Sequence, residues 1–169
     1  METIVFVLQV IVALAFFLQK VLVLIDKKSG WLIGTLSAVT GVAYFYLIGL
    51  YCFAVLEIGL VVLMAYGFFI KKKNPKVEKV INITIILVMT ALVFWAFAGI
   101  MTIAEFVSSV GLIFGTYWLT HNKARLGWLA YATAHVLAAV VGYNASQVFF
   151  ADIQIASAIV TLTGAWKTK

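Results

Sequence analysis

Proline is nearly missing from this chain, with one in 169 residues. Cysteine is as scarce, with one, and charged residues make up only 11%. Each shortage excludes something. A lone Cys52 allows no intrachain disulfide framework and no paired-thiol metal site. The single proline, Pro75, falls between apolar runs, so no run contains a helix breaker. The thin charge accompanies 65% hydrophobic residues and a mean hydropathy of +1.14. A soluble domain of this size could not hide so much apolar surface. The lipid bilayer is therefore the expected solvent. A net charge of +6 is no nucleic-acid signal here, because the basic residues stand in short clusters between apolar runs. The first run lacks a small-residue cleavage site after a short apolar core, and reads as a retained span.

What the sequence does contain is apolar runs of membrane length. They fall at residues 3–25, 30–48, 51–70, 80–99, 101–120, 126–143 and 146–166. Each is long enough to cross ~30 Å of hydrocarbon as a helix. The connections alternate. "DKKSG", "KKKNPKVEK", "THNKAR" and the terminal "KTK" are basic; "GLY", "GIM" and "GYNAS" carry no Lys or Arg. The positive-inside bias makes the basic set cytoplasmic. Seven spans in a cell (inner) membrane then put the N-terminus outside and the C-terminus in the cytoplasm. Lys20 sits inside the first run and is expected to snorkel to the interface. Gly34, Gly41, Gly59, Gly67, Gly111 and Gly115 lie within runs, where close helix packing is the expected use. Tyr44, Tyr46 and Tyr51 read as an outer aromatic belt, Trp31 and Trp128 as belt residues at span starts, and Trp95 and Phe97 as lipid-facing.

The chain also resembles itself. "KKSGWLIG" from Lys27 is similar to "NKARLGWLAY" from Asn122, and "AYGFFIKKK" is similar to "LTGAWKTK". The offset stays at about 96–97 positions and pairs Trp31 with Trp128 and Gly67 with Gly164. The expected fold class is all-α integral membrane, with seven transmembrane helices. Two parallel three-helix repeats (residues 1–75 and 100–169) are joined by a linker helix (76–99). One extra crossing lets the second repeat start on the same side as the first.

That duplication frames the polar residues inside the runs. Glu57 falls opposite Gln154, and Gln9 opposite Glu105. In parallel repeats, equivalent positions share one depth and face one axis. Four polar groups at that axis would suit a polar solute crossing the membrane. Helix-to-helix hydrogen bonding is the plainer use of the same groups. His135, in the sixth run, is either a hydrogen-bonded neutral imidazole or part of the pathway. A lone histidine is no metal site. Asp152 falls near the outer end of the last run. There is no HExxH, P-loop or nucleotide-binding glycine loop and no Ser/His/Asp set in a suitable context, so neither an enzyme nor a cofactor is expected.

A three-plus-one-plus-three array of parallel three-helix units resembles the SWEET sugar transporters and the Pnu-type vitamin transporters. "GWLIGTLSAVTGVAYFYLIGLYCFAVLEIGLVVLMAYGFFIKKK" resembles the second and third spans of the Pnu-type nicotinamide riboside transporters. "GWLAYATAHVLAAVVGYNASQVFFADIQIASAIVTLTGAWK" resembles their last two. The absence of intramembrane proline departs from the SWEET branch. The resemblance implies facilitated diffusion of nicotinamide riboside or a similar vitamin precursor by alternating access, in a homo-oligomer with one pathway per protomer. It implies Glu57, Gln154, Gln9 and Glu105 as hydrogen-bonding partners of the solute, with His135 nearby. The alternatives are a sugar or other small-solute transporter of the same fold, an ion or proton pathway, and a membrane structural or assembly subunit.

Overall fold

The computed structural model describes residues 2–25, 29–69, 74–95, 99–120 and 123–168. Side chains of a few further residues within these helices, Tyr66 and Gly67 among them, fall outside the description. So do the basic connections at 26–28, 70–73 and 121–122, with His121, and the stretch carrying Phe97. The described chain is all-helical, in seven helices: α1 (Glu2–Leu24), α2 (Ser29–Leu47), α3 (Tyr51–Phe69), α4 (Pro75–Trp95), α5 (Ile100–Thr120), α6 (Ala124–Asn144) and α7 (Val148–Lys167). The fourth begins earlier than its apolar run suggested. Asn74 caps it, its side-chain oxygen accepting from the Lys76 amide at 3.0 Å. Pro75 takes the first helical position, where its missing N–H costs nothing.

Among the described residues, five helices are long and apolar enough to cross a membrane: α1, α2, α5, α6 and α7. In α3 and α4 the described residues give apolar stretches at Tyr51–Ala65 and Lys79–Ala91. The distribution of polarity makes the same case. Phe94, Trp95, Phe69, Leu36 and Trp166 stand on the outside. Gln9, Gln19, Lys20, Glu57, Glu105, His135 and Gln154 are buried. Polar groups inside and large apolar groups outside is the reverse of a water-soluble domain, and is what lipid as solvent selects.

Around the bundle, neighbours run α1–α2–α3–α5–α6–α7 and back to α1. The fourth helix lies outside this ring, against α3 and α5. Packed neighbours joined by short connections run antiparallel. So α1, α3, α5 and α7 start at one end, where the connections are uncharged, and finish at the basic end.

Small residues let the helices approach. A Cβ added at Gly127 would fall 2.8 Å from Leu119 and 2.9 Å from the Gly115 carbonyl, on the α5–α6 seam. Gly59 receives Ile85 of α4, Gly115 receives the Tyr131 ring, and Gly164 receives the Trp128 indole. Trp128 is therefore packed between helices, 4% exposed, and is not a belt residue. The close-packing role expected of the intrahelical glycines holds for Gly34, Gly41, Gly59, Gly111 and Gly115.

The turns at the uncharged end come as a matched pair. After α2, the Gly49 amide bonds Tyr46 O at 3.2 Å and the Leu50 amide bonds Phe45 O at 2.9 Å. After α6, the Ser146 amide bonds Tyr143 O at 3.0 Å and the Gln147 amide bonds Gly142 O at 2.8 Å. Both are Schellman turns, closed by a left-handed residue: Gly49 at φ 76° and Ser146 at φ 59°.

Candidate functional site

All six ring helices contribute to one narrow central cavity, of about 30 Å³. Helix α1 supplies Phe16, Gln19 and Lys20; α2 supplies Gly34 and Phe45; α3 supplies Phe53, Glu57, Leu60 and Met64. From the other side come Leu112 of α5, Tyr131, His135 and Ala138 of α6, and Phe150 and Gln154 of α7.

Glu57 reaches this space because Gly41 lies behind it. A Cβ at Gly41 would stand 3.1 Å from Glu57 Cγ, so a larger residue would displace the carboxylate. The side chain is 2% exposed, and its Oε2 has no hydrogen-bond partner among the described residues. His135 shows the same signature. Its Nδ1 lies 2.6 Å from Gln154 Oε1, while Nε2 is buried without a partner. An amide oxygen only accepts, so Nδ1 carries the proton and Nε2 presents a lone pair. Two buried acceptors without partners thus belong to one cavity, where each would cost free energy if left dry.

Lys20 does not snorkel. It turns inward, 5% exposed, and donates to Phe16 O at 3.1 Å with its ammonium 5.2 Å from the centre of the Phe16 ring. It lines the same cavity as Glu57. Its neighbour Gln19 is buried too, its amide nitrogen donating to Met64 Sδ at 3.8 Å. Sequence reasoning missed both residues as cavity groups. The available signal was that Gln19–Lys20 precedes four more apolar residues, "VLVL", before α1 ends.

Toward the uncharged end, rings close the cavity. Phe45 lies 5.1 Å from Phe53 and 5.4 Å from Phe150, and 6.4 Å from Phe16, centre to centre. Tyr44 packs on Phe45 and Phe150 and is fully buried, not part of an interfacial belt. Tyr46 and Tyr51 do stand exposed there, in ring contact with each other. Beyond this layer lies a wider vestibule of about 310 Å³, lined by residues including Cys52, Thr102, Glu105 and Asn144.

Of the five candidate residues, Glu57, Gln154 and His135 come together in the cavity. Gln9 and Glu105 sit nearer the uncharged end, and neither lines that cavity. Both do matching work. Glu105 of α5 accepts from the Phe53 amide at 2.8 Å, with the Cys52 amide beside it, at the start of α3. Gln9 of α1 donates at 2.7 Å to Gln147, the residue before α7, which also accepts from the Tyr44 hydroxyl at 3.0 Å. One ties α5 to the start of α3, and the other ties α1 to the start of α7. Asp152 is exposed at the same end and accepts from the Tyr143 hydroxyl. Among the described residues no group of His, Cys, Asp and Glu could hold a metal ion.

Comparison of the chain with protein-family models, with curated proteins and with solved structures finds no match.

Proposed function

We propose that the chain is a seven-span transporter that moves a small polar solute through the ring by alternating access and facilitated diffusion. The observation that carries this reading is the central cavity, into which all six ring helices feed side chains and in which Glu57 Oε2 and His135 Nε2 have no partner among the described residues. A solute with hydroxyl or N–H donors would satisfy both. The closed ring layer at Phe45, Phe53 and Phe150, with a vestibule beyond it, supports a cavity shut toward the uncharged end.

Two parallel repeats belong to the same proposal. The Schellman turns recur 97 positions apart, from Gly49 to Ser146. The neighbour pattern repeats as well: α1–α2–α3 matches α5–α6–α7, and the α3–α5 contact matches α7–α1. Glu57 and Gln154, paired by this offset, line the same cavity. The basic connections would face the cytoplasm, leaving the N-terminus outside and the C-terminus within. The solute suggested by the resemblance is nicotinamide riboside or a related vitamin precursor, and the same resemblance suggests a homo-oligomer with one cavity per protomer. An assembly subunit would turn its carboxylates toward a partner. Glu57 and Glu105 are both buried inside the ring, which speaks for the solute instead.

The test is a thermal-shift screen of the purified protein against nucleosides, vitamins, sugars and amino acids. A ligand at 100 times its Kd adds about 2.7 kcal/mol to the folded state. At least one solute class should stabilise the protein and enter proteoliposomes that carry it. No stabilising ligand and no uptake would refute the proposal.

A further inference from the structure

Among the described residues, Glu57 Oε2, Asn82 Oδ1, Ser109 Oγ, His135 Nε2 and Ser157 Oγ are buried side-chain atoms without a hydrogen-bond partner. Of these residues, Glu57 of α3 and His135 of α6 line the central cavity; the other three line neither it nor the vestibule. Helix α1 brings donors to the same cavity. Lys20 Nζ gives one N–H to Phe16 O, and as ammonium or amine it carries at least one more. Gln19 Nε2 gives one N–H to Met64 Sδ, a weak acceptor, and carries a second. None of the four side chains is more than 5% exposed.

The space they line has a free volume of about 30 Å³. A water takes roughly 10–15 Å³ of such space and settles where 2–4 polar groups converge. The cavity therefore has room for one or two waters, and anything larger would need the ring to widen. The chemistry selects water over a small ion. A cation would face the spare N–H groups of Lys20 and Gln19, and an anion the lone pair of His135 Nε2. Water donates twice and accepts twice. It suits Glu57 as carboxylate or acid and Lys20 as ammonium or amine, so the fit holds whichever charges are present.

We propose that the central cavity is a water-binding site, in which one or two ordered waters bond Glu57 Oε2 and His135 Nε2 on one side and Lys20 Nζ and Gln19 Nε2 on the other, linking α1, α3 and α6 inside the ring. A bilayer supplies no other partner for these groups, and a bridging water is nearly as favourable as a direct hydrogen bond. Separating the three helices breaks the bridge, so the waters hold the ring closed. The site belongs to this closed form and does not depend on the transport reading.

The experiment is a structure of the full-length protein in lipid at a resolution that shows ordered water, with a thermal-unfolding cycle beside it. In the wild type, density for one or two waters should stand about 2.5–3.2 Å from Glu57 Oε2 and from His135 Nε2, with Lys20 Nζ or Gln19 Nε2 also in reach. Density ringed by acceptors alone at about 2.0–2.6 Å would mark a metal cation and overturns the inference. So does a cavity without density in a map that shows other buried water. Glu57→Leu and His135→Leu each remove one anchor and leave the remaining groups short of a partner, and each should melt roughly 2–12 °C below the wild type. With both anchors gone, the double variant should lose clearly less than the two single losses added. Loss of the donor to Gln154 is common to His135→Leu and the double variant, and cancels in the cycle. Losses that simply add mean that no shared water joins the two residues, and overturn the inference as well. If a variant fails to fold, the wild-type map decides alone. None of these outcomes bears on solute uptake, so the water site and the transport reading fail separately.

Discussion

Glu105→Ala isolates what a buried carboxylate does when it has a partner. Glu105 is 6% exposed and its Oε1 accepts from the Phe53 amide at 2.8 Å, with the Cys52 amide also directed to it. These amides are among the first of α3, which no preceding turn can satisfy. A carboxylate there also complements the positive end of the helix. Alanine removes the acceptor and leaves buried N–H groups without one. A hydrogen bond to a charged group contributes roughly 1.5–3 kcal/mol. Taking about 2 kcal/mol for the site, a chain of this size should melt roughly 4–8 °C lower. Glu105→Gln keeps an acceptor oxygen at the same reach and should lose less than about half of that. Cys52 makes the assay specific. It is the chain's one cysteine, 3% exposed, and its own amide belongs to the same cap. A thiol-reactive dye followed during heating therefore reports the opening of α3 at this point. Labelling should begin earliest in Glu105→Ala and at an intermediate temperature in Glu105→Gln. If Glu105→Ala melts and labels like the wild type, the carboxylate is not holding α3 and the argument fails.

Other outcomes follow from the same geometry. Ser146 holds a left-handed conformation that costs a non-glycine residue roughly 1–2 kcal/mol, so Ser146→Gly should raise the melting temperature, whereas Gly49→Ala should cost about 1 kcal/mol and lower it by roughly 2–4 °C, both read by thermal unfolding. Gly164→Leu should destabilise strongly, since a Cβ alone would reach 2.5 Å from the Trp128 indole; overpacking of this kind costs roughly 1–3 kcal/mol, and wild-type melting would contradict the α6–α7 packing described. Ala138, 2% exposed at the cavity wall, can be enlarged to fill the space: Ala138→Leu should suppress solute uptake while the protein still purifies as a folded species, and undiminished uptake would move the pathway elsewhere.

Much of this was readable before any coordinates, for a definite reason. Seven apolar runs with short polar breaks leave little choice of class, and carboxylates are so costly in hydrocarbon that Glu57 had to face inward. His135 and Gln154 follow by the same reasoning. Facing was harder to read. In helices apolar all round, one face differs little from another, and periodicity cannot say which residues meet. Lys20 shows the consequence: its position near the end of α1 fits snorkelling, but the buried Glu57 of α3, which lines the same cavity, favours an inward turn. Trp128 was misread for a related reason. A tryptophan at a span start fits a belt, and only the pocket left by Gly164 on α7 shows why it is buried. Gln9 and Glu105 were found as a pair but not as helix-end ties, because that role depends on which helix starts lie beside them.

The central claim is that solute binds in the ring's cavity rather than in the vestibule or at a subunit contact. The measurement that meets it most directly is the equilibrium affinity of the best solute from the thermal-shift screen, compared between Gln154→Leu and Glu105→Gln. Gln154 orients His135 inside the cavity, while Glu105 lines only the vestibule. Removing the His135 partner should weaken binding roughly 10-fold or more, at about 1.4 kcal/mol for each factor of ten, and Glu105→Gln should bind within roughly threefold of the wild type. Full affinity in Gln154→Leu, or its loss in Glu105→Gln alone, would contradict the account.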